Sequence, residues 1–111
     1  MNLIFFFNFS FSVKVIRWKS NEGLKEVTKA VGESVTIDCQ LNDPGARVKL
    51  KQKIRSGVFR VRHTDDCRVS RVGQKFVIHS VNFNDLGIYV CEAPHVTTKK
   101  EDAYLKINPG E

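Results

Sequence analysis

Apolar and polar residues alternate along much of this chain with a period of two, the spacing that puts one face of a β-strand against a core and the other in water. In residues 33–41, Val35, Ile37, Cys39 and Leu41 share one parity, and Val27 to Gly32 precede them as a shorter strand. Asn42-Asp43-Pro44-Gly45 is a strong turn signal. Residues 47–54 then alternate cleanly: Val48, Leu50 and Ile54 are predicted to face inward, and Arg47, Lys49, Lys51, Lys53 and Arg55 outward. Ser56-Gly57 turns the chain into a short strand over residues 58–62. Further strands are expected over 67–70, 76–81 and 103–107, the last with Ala103, Leu105 and Ile107 inward and Pro109-Gly110 as its stop.

Between the strands of residues 76–81 and 103–107 lies Asp85-Leu86-Gly87-Ile88-Tyr89-Val90-Cys91, with the spacing Asp-x-Gly-x-Tyr-x-Cys. Cys39 stands 52 positions before Cys91. Together with the strand patterns around Val35–Leu41 and Phe76–Val81, in that order, this run resembles an immunoglobulin domain of the intermediate set over residues 24–108. The resemblance implies an all-β fold, a two-sheet antiparallel Greek-key sandwich. It implies a Cys39–Cys91 disulfide through the core and a tyrosine corner, in which the Tyr89 hydroxyl folds back onto nearby backbone. Gly87 relaxes the backbone as the chain enters the strand. The resemblance also implies that Asp85 pairs with an arginine at the start of the strand over 67–70, Arg68 first and Arg71 second. The family's usual core tryptophan is replaced by Leu50, 11 residues after Cys39, which is smaller and has no indole N–H.

The 111 residues suffice for one domain. Residues 1–23 are set apart as an apolar segment and polar lead-in, the lead-in holding Trp18. Leu3 to Phe11 carries five of the eight phenylalanines. It reads either as a short signal peptide, with Ser10 and Ser12 as the small residues before a cleavage at Val13, or as sequence outside the domain. Asn8-Phe9-Ser10 matches a glycosylation sequon, to which no role is assigned. Cys67 is left over by the disulfide and reads either as a cross-link to a partner or as a small buried side chain. His63 to Cys67 places N, O and S ligands side by side, an arrangement poorly suited to tetrahedral coordination, so no metal site is expected. His79 and His95 read as surface residues.

Charge changes the picture most. The net charge is +6, yet residues 47–75 hold ten Lys or Arg against Asp65 and Asp66 alone. Such a patch attracts anionic partners over long range. In the implied architecture the strands bearing Lys49, Ile88 and Tyr104 share one sheet. Arg47, Lys49, Lys51 and Lys53 beside Ile88, Val90 and Tyr104 make a candidate binding face, which Arg60 and Arg62 extend. The competing reading is a solvated strand face whose lysines block edge pairing.

No Gly-rich phosphate loop, nucleophile elbow or zinc-protease motif is present, so no enzyme and no cofactor are expected. Aromatic interleaving of the basic run is thin, which argues against nucleic acid. No stretch reaches the ~20 apolar residues of a membrane span. The leading expectation is an extracellular or cell-surface recognition module that binds a protein, including another immunoglobulin-like domain. The alternatives are a cytoplasmic, cytoskeletal spacer resembling the domains of muscle giants, with reduced cysteines, and a module for sulfated glycans.

Overall fold

The alternating segments form eight strands in a computed structural model that describes residues 15–54 and 56–108. The Leu3–Phe11 run with its signal and sequon readings, Arg55 and the Pro109-Gly110 stop lie outside the described residues. The strands are β1 (Lys25–Ala30), β2 (Val35–Asp38), β3 (Lys49–Lys53), β4 (Phe59–Arg62), β5 (Val69–Val72), β6 (Lys75–Ile78), β7 (Gly87–Ala93) and β8 (Val96–Asn108). A five-stranded sheet has the order β1-β8-β7-β3-β4, and a three-stranded sheet the order β2-β6-β5. All pairings are antiparallel except β1 on β8, which is parallel.

The inward parity of each strand fills the space between the sheets. Val35, Ile37, Leu50, Phe76, Ile78, Tyr89 and Leu105 are all buried. Cys39 and Cys91 are joined across the sheets with Cα atoms 5.5 Å apart. Cross-linking positions 52 apart restricts the unfolded chain, worth about 4 kcal/mol by the chain-entropy argument. Leu50 is fully buried and stands directly opposite Cys91 in the β3–β7 register.

Three features depart from the sequence reading. Trp18 is no polar lead-in: it is 5 % exposed and belongs to the core. Its segment runs antiparallel to the chain just beyond β2, pairing with Leu41, and its indole donates to the Thr98 carbonyl at 2.9 Å. Asn42 fastens the same segment through the Arg17 N–H and the Val15 carbonyl. The last strand begins at Val96, not at 103, because a two-residue turn at Pro94-His95 lets β7 continue straight into β8. Third, Gln52 shares the inward parity of Leu50 and is fully buried, its amide donating to the Asn84 and Leu86 carbonyls at 2.9 and 2.7 Å.

Candidate recognition face

The outward parity of the five-stranded sheet builds the surface on which the candidate residues lie. Register aligns one row across all five strands: Phe59 opposite Lys53, Lys53 opposite Ile88, Ile88 opposite Tyr104, and Tyr104 opposite Glu26. Aromatic rings thus stand towards both ends of the row, Phe59 43 % and Tyr104 37 % exposed.

Three lysines converge on the Phe59 ring. The ammonium groups of Lys51, Lys53 and Lys99 lie 5.8, 6.0 and 5.6 Å from its centroid, within range of the electron-rich face. Lys51 and Lys99 also share one oxygen of Glu92, at 3.1 and 3.2 Å. Partial burial alone would raise the Glu92 pKa, but the two ammonium groups outweigh it and hold the carboxyl below its ordinary range. At the far end Lys106 lies 5.6 Å from the Tyr104 centroid and 3.2 Å from Glu26.

The sheet brings Lys49, Lys51, Lys53, Ile88 and Tyr104 onto this face, and adds Phe59 and Lys99 to them. Arg47 is exposed just before β3. Val90 takes the outward parity but is only 2 % exposed, so it supports the face from below and is not a contact. Arg62 does not extend the face. It pairs in register with Leu50, points inward and is 2 % exposed. Arg60, opposite Gln52, is exposed at the lower rim. Phe59 could have been found in the sequence, since it shares parity with Val61 in the strand after Ser56-Gly57. Lys99 could not, because it belongs to the part of β8 that lies before residue 103.

A buried polar network beneath the lower rim holds the sheet edge. The Arg62 guanidinium donates to Gln52, Asp85 and the Tyr89 hydroxyl at 3.0, 3.0 and 3.2 Å, and to Asp66 at 3.2 Å. Arg68 grips both oxygens of Asp85, at 2.7 and 3.0 Å. The Tyr89 hydroxyl donates to the Asp85 carbonyl at 2.6 Å, the backbone contact of a tyrosine corner. Burial pushes the Tyr89 pKa well up, so the hydroxyl keeps its proton for that bond. At the other end Lys100 turns inward, donating to the Asp38 carbonyl at 2.7 Å and to Asp102 at 3.0 Å, where a bulge in β8 inserts Asp102.

Cys67 is exposed, which removes the reading of a small buried side chain. Among the described residues no cluster of His, Cys, Asp and Glu could hold a metal ion, and no helix is long and apolar enough to cross a membrane.

A family model for the immunoglobulin domain matches residues 25–101. The chain belongs to the immunoglobulin domain family. Such domains are typically modules of protein–protein recognition and adhesion, and the family is generally non-enzymatic. Solved structures share the fold of this immunoglobulin domain. The eight N-terminal Ig domains of Down syndrome cell adhesion molecule isoform 1.30.30 match with a TM-score of 0.71 and 18 % identity, over 87 % of this chain and 13 % of that one. Dscam1 isoform 4.44 matches with a TM-score of 0.67 and 15 % identity, over 85 % of this chain and 25 % of that one. Drosophila semaphorin 2a matches with a TM-score of 0.64 and 15 % identity, over 78 % of this chain and 14 % of that one. The chain therefore spans a quarter or less of each of these solved chains. No curated protein matches it.

Proposed function

We propose that this domain binds another protein, an immunoglobulin-like domain included, through the outward face of its five-stranded sheet. The observation that carries the reading is the convergence of Lys51, Lys53 and Lys99 on the exposed Phe59 ring. An aromatic patch supplies apolar area to bury at the centre of an interface. The surrounding ammonium groups steer an acidic partner and fix its register. Lysines placed only to prevent edge pairing would have no need of an exposed ring among them. The Cys39–Cys91 disulfide supports an extracellular or cell-surface setting, since such links persist in oxidising compartments. The name of one fold neighbour, a cell adhesion molecule, agrees with that setting.

The test compares the protein with its K49E/K53E/K99E variant on an array of extracellular immunoglobulin-domain proteins. Binding to at least one array member should weaken by about tenfold or more in the variant, chiefly through a slower on-rate. Partners bound equally by both proteins would remove this face. An immobilised heparin column separates the sulfated-glycan reading. Retention to high salt that the variant loses, with no array member bound, would replace the protein partner with a polyanion.

A further inference from the structure

The lower end of the sheet face opens into a hollow of about 710 Å³ that runs around the rim towards the short 3₁₀ turn Phe83–Asp85. Its walls include Phe83, Leu86, Ile88 and Tyr104, and two cations border it, Lys53 and Arg60. Lys51 and Lys99 share Glu92, and Lys106 reaches Glu26. Among the described residues Lys53 and Arg60 pair with no carboxylate. Lys49 is likewise unpaired, but it stands at the other end of β3, away from the hollow.

Phe83 is 54 % exposed, yet the turn that carries it is firmly held. Asn82 caps the turn through the Asn84 N–H at 2.8 Å, and Asp85 accepts from the Asn82 N–H at 2.9 Å. Gln52 and Tyr89 bind the Asn84, Leu86 and Asp85 carbonyls from inside. A large apolar side chain exposed on a backbone fixed in this way loses little freedom on binding, the condition under which an anchor contributes most.

We propose that this hollow receives a bulky apolar side chain from an acidic segment of the protein partner. The apolar anchor seats among Phe83, Ile88 and Tyr104. Neighbouring Asp or Glu carboxylates meet the ammonium of Lys53 and the guanidinium of Arg60, the latter suited to a two-pronged contact. A polyanion such as a sulfated glycan would satisfy the cations and leave the apolar walls uncovered, so the lining favours a peptide segment. The inference rests on the reading that this sheet face binds protein, and names the chemistry recognised at its lower end.

Panning a random dodecapeptide library on the full chain tests it, with enriched peptides resynthesised and titrated into the 15N-labelled protein. The expected peptides carry Asp or Glu beside Phe, Trp, Leu or Ile, and shift the amides of Lys53, Arg60, Phe83 and Ile88. K53E/R60E and F83D should each weaken them by about tenfold or more. Circular dichroism and an intact disulfide mass check that these variants are folded, and the shift map of the unaltered protein needs no variant. Absence of enrichment over bare support, or enriched peptides without acidic residues, overturns the proposal. Shifts confined to Lys49, Lys51, Phe59 and Lys99 remove the hollow and leave the wider face standing. So does an array partner whose binding ignores both K53E/R60E and F83D.

Discussion

Arg62 and Asp85 meet inside the lower end of the sandwich, Nη1 to Oδ1 at 3.0 Å, with both side chains out of contact with water. Arg62 comes from β4 in the five-stranded sheet, while Arg68, the second cation on Asp85, immediately precedes β5 in the three-stranded one. The carboxylate thereby ties the two sheets together. Removing one partner from a buried pair leaves the other charge without full compensation.

Arg62→Met should therefore lower stability by about 3 kcal/mol, the low end of the cost of breaking a buried pair, because Asp85 keeps Arg68. Arg68→Ala should cost less, about 1–2 kcal/mol, since its guanidinium is partly in water. Guanidinium chloride titration of the three proteins measures both losses. Equal midpoints for the native chain and R62M would contradict the assignment.

Acid should unfold the domain through three carboxylates. At Asp85 burial pulls the pKa up, but the Arg68 fork, the Asn82 N–H and Arg62 outweigh it and hold the group low. Asp66 is lowered mainly by the Arg68 backbone N–H, and Glu92 by Lys51 and Lys99 against its burial. A carboxylate held low in the folded state stabilises fully above its unfolded value and loses that contribution as pH falls through the folded one. The Tm contribution of these groups should be level between about pH 7 and 5 and decline below about pH 4. Glu92→Gln should flatten part of the decline in a calorimetric series. A Tm that rises from about pH 5 to 3 would refute the scheme.

Gly87 has φ +134°, and a Cβ built there would collide with the Lys53 carbonyl oxygen. Gly87→Ala thus combines backbone strain with a steric clash between β7 and β3. A loss of about 3 kcal/mol is expected from the two together. Alanine at Gly73 should be milder, because although φ is +62° no atom lies within 4 Å of its would-be Cβ. Parallel denaturation of the two variants decides whether the close approach adds to the strain.

Trp18 is the sole tryptophan and is buried, so its fluorescence reports directly on the packing of the first segment. Trp18→Phe should keep most of the packing but lose the bond to the Thr98 carbonyl, at about 1 kcal/mol. Trp18→Ala should cost about 3–5 kcal/mol by opening a cavity. A chain begun at residue 24 with undiminished stability would show the contact to be dispensable.

Much of the fold was legible because a strand buried on one face writes its orientation into alternate residues. Val35, Ile37 and Cys39, or Ala103 and Leu105, announce their parity without reference to any partner. The Asp85 to Cys91 run works similarly, since Tyr89 bonds to a backbone group only four residues away. Arg62 departs from its outward expectation for the same reason in reverse. A polar residue on the inward parity of an edge strand reads as solvent-facing until its buried partners are known, and these come from β3, the Asp85 turn and the loop after β4.

The sequence by itself determined the faces of most strands and the excess of cations on one of them, which follow from local periodicity, whose meaning lies within a few residues. The class of the sandwich and the pairing of Cys39 with Cys91 were legible through the resemblance that the Asp85 to Cys91 run and the strand patterns carry. Tertiary structure alone decided that Trp18 fills the core, that Val90 is covered, and that Phe59, Lys99 and Glu92 gather around Lys51. Those facts depend on cross-strand register, and on Trp18 lying alongside Leu41, between residues far apart in the chain. Register is set by how the strands settle against one another in space, which no single stretch of sequence records.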